Sequence, residues 1–275
     1  MFQLLTYDFV QLAILAALIL AGIHAYLGYH VVSRGVIFVD LSLAQASALG
    51  ATVAFCLGVR SEAAVYFVSL LFTLAGALVI SLARTRDERV PHEAFIGILY
   101  AAATAVPLLL LSHHAEGAEL LHHMIAGSLL TVTPHELVKI AVLYAVLGLF
   151  FFRYRKRFDL ISRDRERARA EGVNLVWWDF LFYAAFALVV TSSVAIAGVL
   201  LVFALLVIPP VAALLVTTQP GKRLALGWTI GFVGALTGVA ASVAMDLPAG
   251  PAIIASLTSL LVLVAGVLRL ARRRA

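Results

Sequence analysis

Nine stretches of this chain are apolar over a length close to that of a membrane span: residues 9–31, 37–58, 63–83, 94–112, 137–152, 176–195, 199–217, 225–244 and 251–268. A helix needs about 20 such residues to cross the hydrocarbon layer. Short polar stretches separate them, and none alternates with the two-residue period of a membrane β-strand. The pattern predicts an all-α, polytopic helical membrane protein with eight or nine transmembrane helices. The run 137–152 is short, and 176–195 and 199–217 nearly touch around Gly198. One of these three is a candidate for a partial or re-entrant segment.

Composition agrees. Of the 275 residues, 63% are hydrophobic and 13% charged, whereas a soluble domain is about half apolar and a quarter charged. Too few polar side chains exist to coat a water-facing surface, and disorder needs low hydrophobicity and high charge. The chain reads as one transmembrane domain over 1–275. No Lys or Arg lies between Met1 and Asp8, so the first apolar run reads as a retained helix and not a cleaved signal. Cys56 is the only cysteine and cannot form an intrachain disulfide.

The net charge of +5 reports orientation more than nucleic-acid binding. With the N-terminus outside and nine crossings, 18 of the 20 Lys and Arg fall on the cytoplasmic side, leaving only Arg60 and Lys139 outside. The positive-inside rule therefore predicts a cytoplasmic C-terminus. The cytoplasmic segment 153–174 mixes Arg, Asp and Glu and reads as a short solvated helix. It is either an anchor on anionic lipid or a docking element for a partner.

Two features concern packing. Gly227/Gly231 and Gly234/Gly238 have the GxxxG spacing that lets helix backbones approach, read here as bundle packing and not as a dedicated dimer motif. Pro209-Pro210 removes two backbone donors, so a helix is expected to end or kink there.

Several chemistries are missing. Gly221-Lys222 has neither the upstream glycine nor the Ser/Thr of a phosphate loop. His92-Glu93 opens an HExxH-like string, but Ile96 replaces the second histidine. No GxSxG elbow occurs. The chain reads as a transporter and not an enzyme, with no ATPase site of its own and no bound cofactor.

Ionisable groups inside a bilayer are costly and default to functional candidates. His24 and His30 lie in the first span, Asp40 and Gln45 in the second, Asp179 at the start of the sixth, and Asp246 after the eighth. Asp179, beside Trp177 and Trp178, reads as interfacial and structural; His30 reads as interfacial. His24 is deeper, either hydrogen-bonded in the core or a ligand. Asp40 is either a helix cap or a carboxylate for a divalent cation. Position 44 shares its helix face and is alanine, while Gln45 lies off it. The external loop, with His113, His114, His122, His123, His135, Glu116 and Glu119, is a metal-gathering or merely solvated His-rich segment.

Five segments, in order, carry a family resemblance. Arg34–Asp40 (RGVIFVD) resembles an arginine-to-aspartate signature after the first span. Residues 92–98 (HEAFIGI) are similar to an "EAxIGI" stretch, and 168–173 (ARAEGV) to a cytoplasmic "ARAxGV" element. Residues 198–209 (GVLLVFALLVIP) resemble "GVLLVxALLVIP", and 246–251 (DLPAGP) a "DLPxGP" turn. Together they resemble the permease family of zinc and manganese ABC importers, over nearly the whole chain.

That resemblance implies an inner-membrane permease that forms a homodimer with the path along its axis, two cytoplasmic ATP-binding subunits, and an extracytoplasmic metal-binding protein. It implies that the element with Arg169, Ala170, Glu171 and Gly172 contacts the ATPase, and that Asp40, Gln45 and Asp246 meet the transported metal, zinc first and then manganese or iron. One departure stands out: the family's histidine four residues after the aspartate is Ala44 here, with Gln45 next to it. The alternatives are a secondary transporter or channel, which should show inverted repeats, and a siderophore- or cobalamin-type ABC permease, a resemblance that would imply a longer chain than these 275 residues.

Overall fold

The computed structural model describes residues 7–83, 91–112, 127 and 129–274, apart from the side chains of Arg272 and Arg274. Among them the helices are α1 (Asp8–Arg34), α2 (Val39–Cys56), α3 (Glu62–Leu82), α4 (His92–Leu111), α5 (Pro134–Arg163), α6 (Arg165–Ala170), α7 (Leu175–Val216), α8 (Pro220–Met245) and α9 (Ala249–Arg274). A 3-10 turn at Leu129–Thr131 precedes α5. All but α6 are long and apolar enough to cross a membrane, which makes eight candidates among the described residues. This is a multi-pass membrane protein.

Two expectations about boundaries change. The run 137–152 is the middle of the 30-residue α5, so residues 153–163 continue that helix and only α6 is a separate short one. Arg and Lys can sit on such an extension because their long stems let the charges reach water. The second change concerns α7, whose 42 residues would span about 63 Å at the helical rise, roughly twice the hydrocarbon thickness. Gly198, with φ 75° and ψ 160°, breaks it into 175–197 and 199–216, each about the length of one span. The eight long helices thus contain nine membrane-length segments.

The chain divides into two compact units, the boundary falling inside α1, α5 and α7. The first comprises residues 1–32, 126–148 and 196–275; the second comprises 33–125 and 149–195.

In the first unit, small residues set the helix spacing. Gly227 and Gly231 of α8 face Pro209 and Pro210 of α7, and Gly231 also meets Ala21 of α1. Gly234 and Gly238 face Leu257 and Ile253 of α9, where a Cβ at Gly238 would overlap the Ile253 backbone. The GxxxG pairs are therefore spent on packing within the chain. Trp228 donates its indole N–H to the Gly22 carbonyl at 2.9 Å.

Pro209 and Pro210 do not end α7. Helical geometry continues through them, and the non-helical residue is Gly198. Proline 210 leaves the Leu206 carbonyl without its i+4 donor. Gly28 of α1 packs so closely on that carbonyl that a Cβ there would overlap it. Protein thus shields the freed oxygen from lipid, as the bilayer requires. Gly127 packs in the same way against the Ala197–Gly198 backbone at the break.

In the second unit the core is aromatic. Phe151, Phe158, Phe182, Tyr183 and Phe186 are fully buried, with Phe151 and Phe158 rings 5.2 Å apart at an edge-to-face angle. Trp178 is buried, against Tyr154 at 5.2 Å and under the Arg157 guanidinium at 4.9 Å. Only Trp177 of the pair is exposed, so the expected aromatic belt is half core. Thr191 donates to Thr73 at 3.0 Å, joining α7 to α3.

Outside these cores, exposed apolar side chains recur at helical spacing, for example Val138, Val142 and Val146 on α5. Such faces suit lipid.

Adding one methyl group separates packed glycines from open ones. Gly238→Ala should lower the melting temperature in detergent, reflecting an overpacking cost of about 1–3 kcal/mol. Gly148→Ala, with nothing within 4 Å of the new Cβ, should leave it unchanged or raised.

Candidate functional site

Helix α2 begins after Phe38, whose side chain offers no cap. Asp40 lies in its first turn, where the helix dipole favours a negative charge. Yet its side chain is no cap: neither carboxylate oxygen has a hydrogen-bond partner among the described residues, and the residue is fully buried. The capping alternative is thereby set aside. A buried carboxylate left without partners costs several kcal/mol.

The start of α2 is held from α4. The Ile37 N–H donates to Glu93 Oε1 at 3.1 Å, and the Ser42 hydroxyl donates to the Ile96 carbonyl at 2.6 Å. Residues 92–98 are therefore a structural brace for the segment carrying Asp40, a role of Glu93 that the motif alone did not disclose. Ala44 is buried one turn beyond Asp40. Gln45 is half-buried and, at the helical period, about 140° round the axis from Asp40. The helix does not bring carboxylate and carboxamide to one face.

Asp246 belongs to the first unit. It closes α8 as its C-cap in the left-handed conformation, φ 52° and ψ 48°, the one described non-glycine residue with positive φ. The Ser242 hydroxyl donates to the Leu247 carbonyl at 2.6 Å and fixes the turn, leaving Asp246 exposed.

His24 is fully buried, its Nδ1 2.7 Å from the Leu20 carbonyl, as expected of a core histidine. His30 is fully buried as well. His113, His114, His122, His123, Glu116 and Glu119 lie outside the described residues, and His135 is exposed. No three His, Cys, Asp or Glu side chains converge among the described residues.

Helix α6 is sharply bounded. Asp164 caps α6 by accepting the Arg167 N–H at 2.9 Å. At the other end Gly172, with φ 76°, closes the helix: Val173 N–H donates to the Ala168 carbonyl and Gly172 N–H to the Arg169 carbonyl, both at 3.0 Å. This is a Schellman close, for which glycine is favoured. Ala168 is fully buried, while Arg169, Ala170, Glu171 and Gly172 are exposed. The expected contact residues therefore share a free surface.

Behind α6 lies a charge cluster not foreseen as such. Asp179 Oδ1 accepts from Arg34 Nη1 at 2.9 Å, and Asp179 Oδ2 lies 2.8 Å from Arg165 Nη2. Arg34 and Asp179 side chains are each 1% exposed and Arg165 26%. Arg34 also donates to the Ser162 hydroxyl at 2.9 Å and stacks 4.0 Å above the Phe182 ring. Asp179 is thus a buried ion-pair partner, in keeping with a structural role.

Comparison with known proteins places these features in context. The sequence profile described as the ABC 3 transport family matches residues 6–267. A manganese transport system membrane protein, MntC of Listeria monocytogenes, is 26% identical, over 91% of this chain and 88% of its own. The chelated iron transport system membrane protein YfeD of Yersinia pestis is 25% identical, over 90% and 82%. Among solved structures, PsaBC from Streptococcus pneumoniae in complex with Fab superposes with a TM-score of 0.80 at 20% identity, over 95% of this chain and 92% of that one, a likeness of fold.

Truncating the cluster separates its buried from its solvated pairs. Asp179→Ala strands two arginines, and thermal or denaturant unfolding should show a loss of about 3–5 kcal/mol. Arg167→Ala, which breaks only the exposed pair with Glu171, should cost less than about 1 kcal/mol.

Proposed function

The chain belongs to the ABC 3 transport family, and from that premise we propose that it is the permease subunit of an ATP-driven importer of a divalent transition-metal ion. The whole chain, 1–275, acts as one permease domain in the cell (inner) membrane. It performs no bond-breaking chemistry. Cytoplasmic ATP-binding subunits supply the energy, an extracytoplasmic metal-binding protein delivers the ion, and a second copy completes a homodimer. Orientation follows from charge: the N-terminus outside, the C-terminus cytoplasmic, and nearly all Lys and Arg inside. The odd number of membrane-length segments supports the same arrangement.

The observation that carries the reading is Asp40. A fully buried carboxylate with both oxygens unpartnered among the described residues is costly in a bilayer unless a cation visits it. A single carboxylate also suits passage, because an ion bound by few ligands can leave again. Asp246, exposed in the turn after α8, is the carboxylate we assign to the side facing the delivery protein. The exposed surface of Arg169, Ala170, Glu171 and Gly172 is the ATPase contact.

Within this class the donor chemistry bears on the metal. Zinc, manganese and iron are the candidates. Imidazole suits zinc, but position 44 is alanine, and the carboxamide of Gln45 lies on another face of the helix, which leaves the Asp40 carboxylate as the donor. Carboxylate, carbonyl and water oxygens suit manganese better than zinc. The curated relatives described above carry manganese and chelated iron in their names. We therefore place manganese ahead of zinc.

Asp40→Asn keeps size and removes the charge. In cells or vesicles carrying the assembled transporter it should cut metal uptake by about tenfold or more, as loss of a charge contact of about 1.4 kcal/mol or greater would, while the ATPase subunits still co-purify. Uptake equal to wild type would exclude Asp40 from the path. Replacing Ala44 by histidine should shift the competition profile from manganese toward zinc, read by inhibition of labelled uptake with each cold metal.

A further inference from the structure

We propose that Arg165, Asp179 and Arg34 form a bridge that ties movement of α6 to the segment carrying Asp40, so that Arg165 is a positioning residue for transport. The inference rests on the function proposed above and adds to it a route of coupling.

Helix α6 has two faces. Glu166, Arg167, Arg169, Ala170 and Glu171 point outward and are exposed. Their ion pairs, Arg167–Glu171 and Arg169–Glu166, stay within the helix and its cap. Arg165 and Ala168, one turn apart, point inward; Ala168 is buried and Arg165 reaches Asp179 at 2.8 Å. The outward face is free for a partner, and the inward face holds one specific polar tie.

That tie continues through a single carboxylate. One oxygen of Asp179 faces Arg165 and the other accepts from Arg34. Arg34 is the last residue of α1, and only residues 35–38 separate it from α2. The connection has little slack: Gly35 makes a tight turn at φ 65°, Val39 N–H returns to the Val36 carbonyl at 3.2 Å, and Glu93 grips the Ile37 N–H. Displacing Arg34 must therefore move the first turn of α2, where Asp40 sits, or break these bonds. The Phe182 ring under Arg34 and the Ser162 hydroxyl beside it fix the guanidinium, so the bridge has a defined geometry to gain or lose. Energetic coupling requires an element that both ends can bias between two arrangements, and this bridge takes that part in the proposal.

Arg165 is the residue to test, because it is partly exposed and its truncation spares the Arg34–Asp179 pair. The experiment uses the chain with its ATP-binding subunits and delivery protein in proteoliposomes, manganese as the probe, and measures uptake, basal ATPase rate and stimulated ATPase rate. In Arg165→Ala, subunit co-purification and basal ATPase should match wild type, while manganese uptake per ATP hydrolysed falls by about tenfold. Arg165→Lys, which keeps the charge, should recover most of it. Wild-type coupling in Arg165→Ala would overturn the bridge. So would loss of basal rate and assembly together without rescue by lysine, which would mark Arg165 as structural only. A wild-type chain that accumulates manganese equally well without ATP would instead overturn the function on which the bridge rests.

Discussion

A charge cannot sit alone in a medium of low dielectric constant, and this constraint organises the molecule. Asp179 obeys it by holding two arginines, and Arg34 obeys it by holding Asp179, Ser162 and the face of Phe182. Asp40 does not obey it among the described residues. It is as buried as Asp179, yet both its oxygens face no donor among the described residues. Two aspartates of equal burial thus have opposite circumstances. The satisfied one reads as framework, and the unsatisfied one is the group on which the proposed ion path rests.

The unit that holds both aspartates keeps that contrast sharp by packing closely. Gly50 of α2 approaches the Ser69 backbone with no room for a methyl group, and Phe182, packed against Phe158, lies against the Arg34 guanidinium. Tight packing keeps water from neutralising a stranded charge, since water needs room and polar partners. It also makes small displacements discrete, because packed interfaces switch between arrangements and do not deform smoothly.

Much of this was legible in the sequence. Membrane spans announce themselves by length and hydropathy, and Asp40 stood out because it interrupts an apolar run. The bounds of α6 were written in local chemistry, with Asp164 ahead of it and Gly172 behind. What escaped was long-range. Arg34 and Asp179 lie 145 positions apart, and nothing in either neighbourhood names the other. Trp178 looked interfacial beside Trp177, because the two differ only in which side of the helix they occupy. The prolines at 209 and 210 suggested a break, but a close glycine on another helix covers the freed carbonyl, and the break falls at Gly198 instead. The basic run after residue 152 looked like the start of a loop, because composition cannot distinguish a solvated helix extension from a separate element.

The central claim is that this chain conducts a metal ion and borrows its energy from ATP-binding partners. The most direct test is accumulation of radiolabelled manganese in sealed proteoliposomes holding the purified chain, with and without those partners. The account predicts no concentrative uptake by the chain alone, and ATP-dependent uptake once the partners and delivery protein are added. Accumulation against a gradient by the chain alone would contradict it.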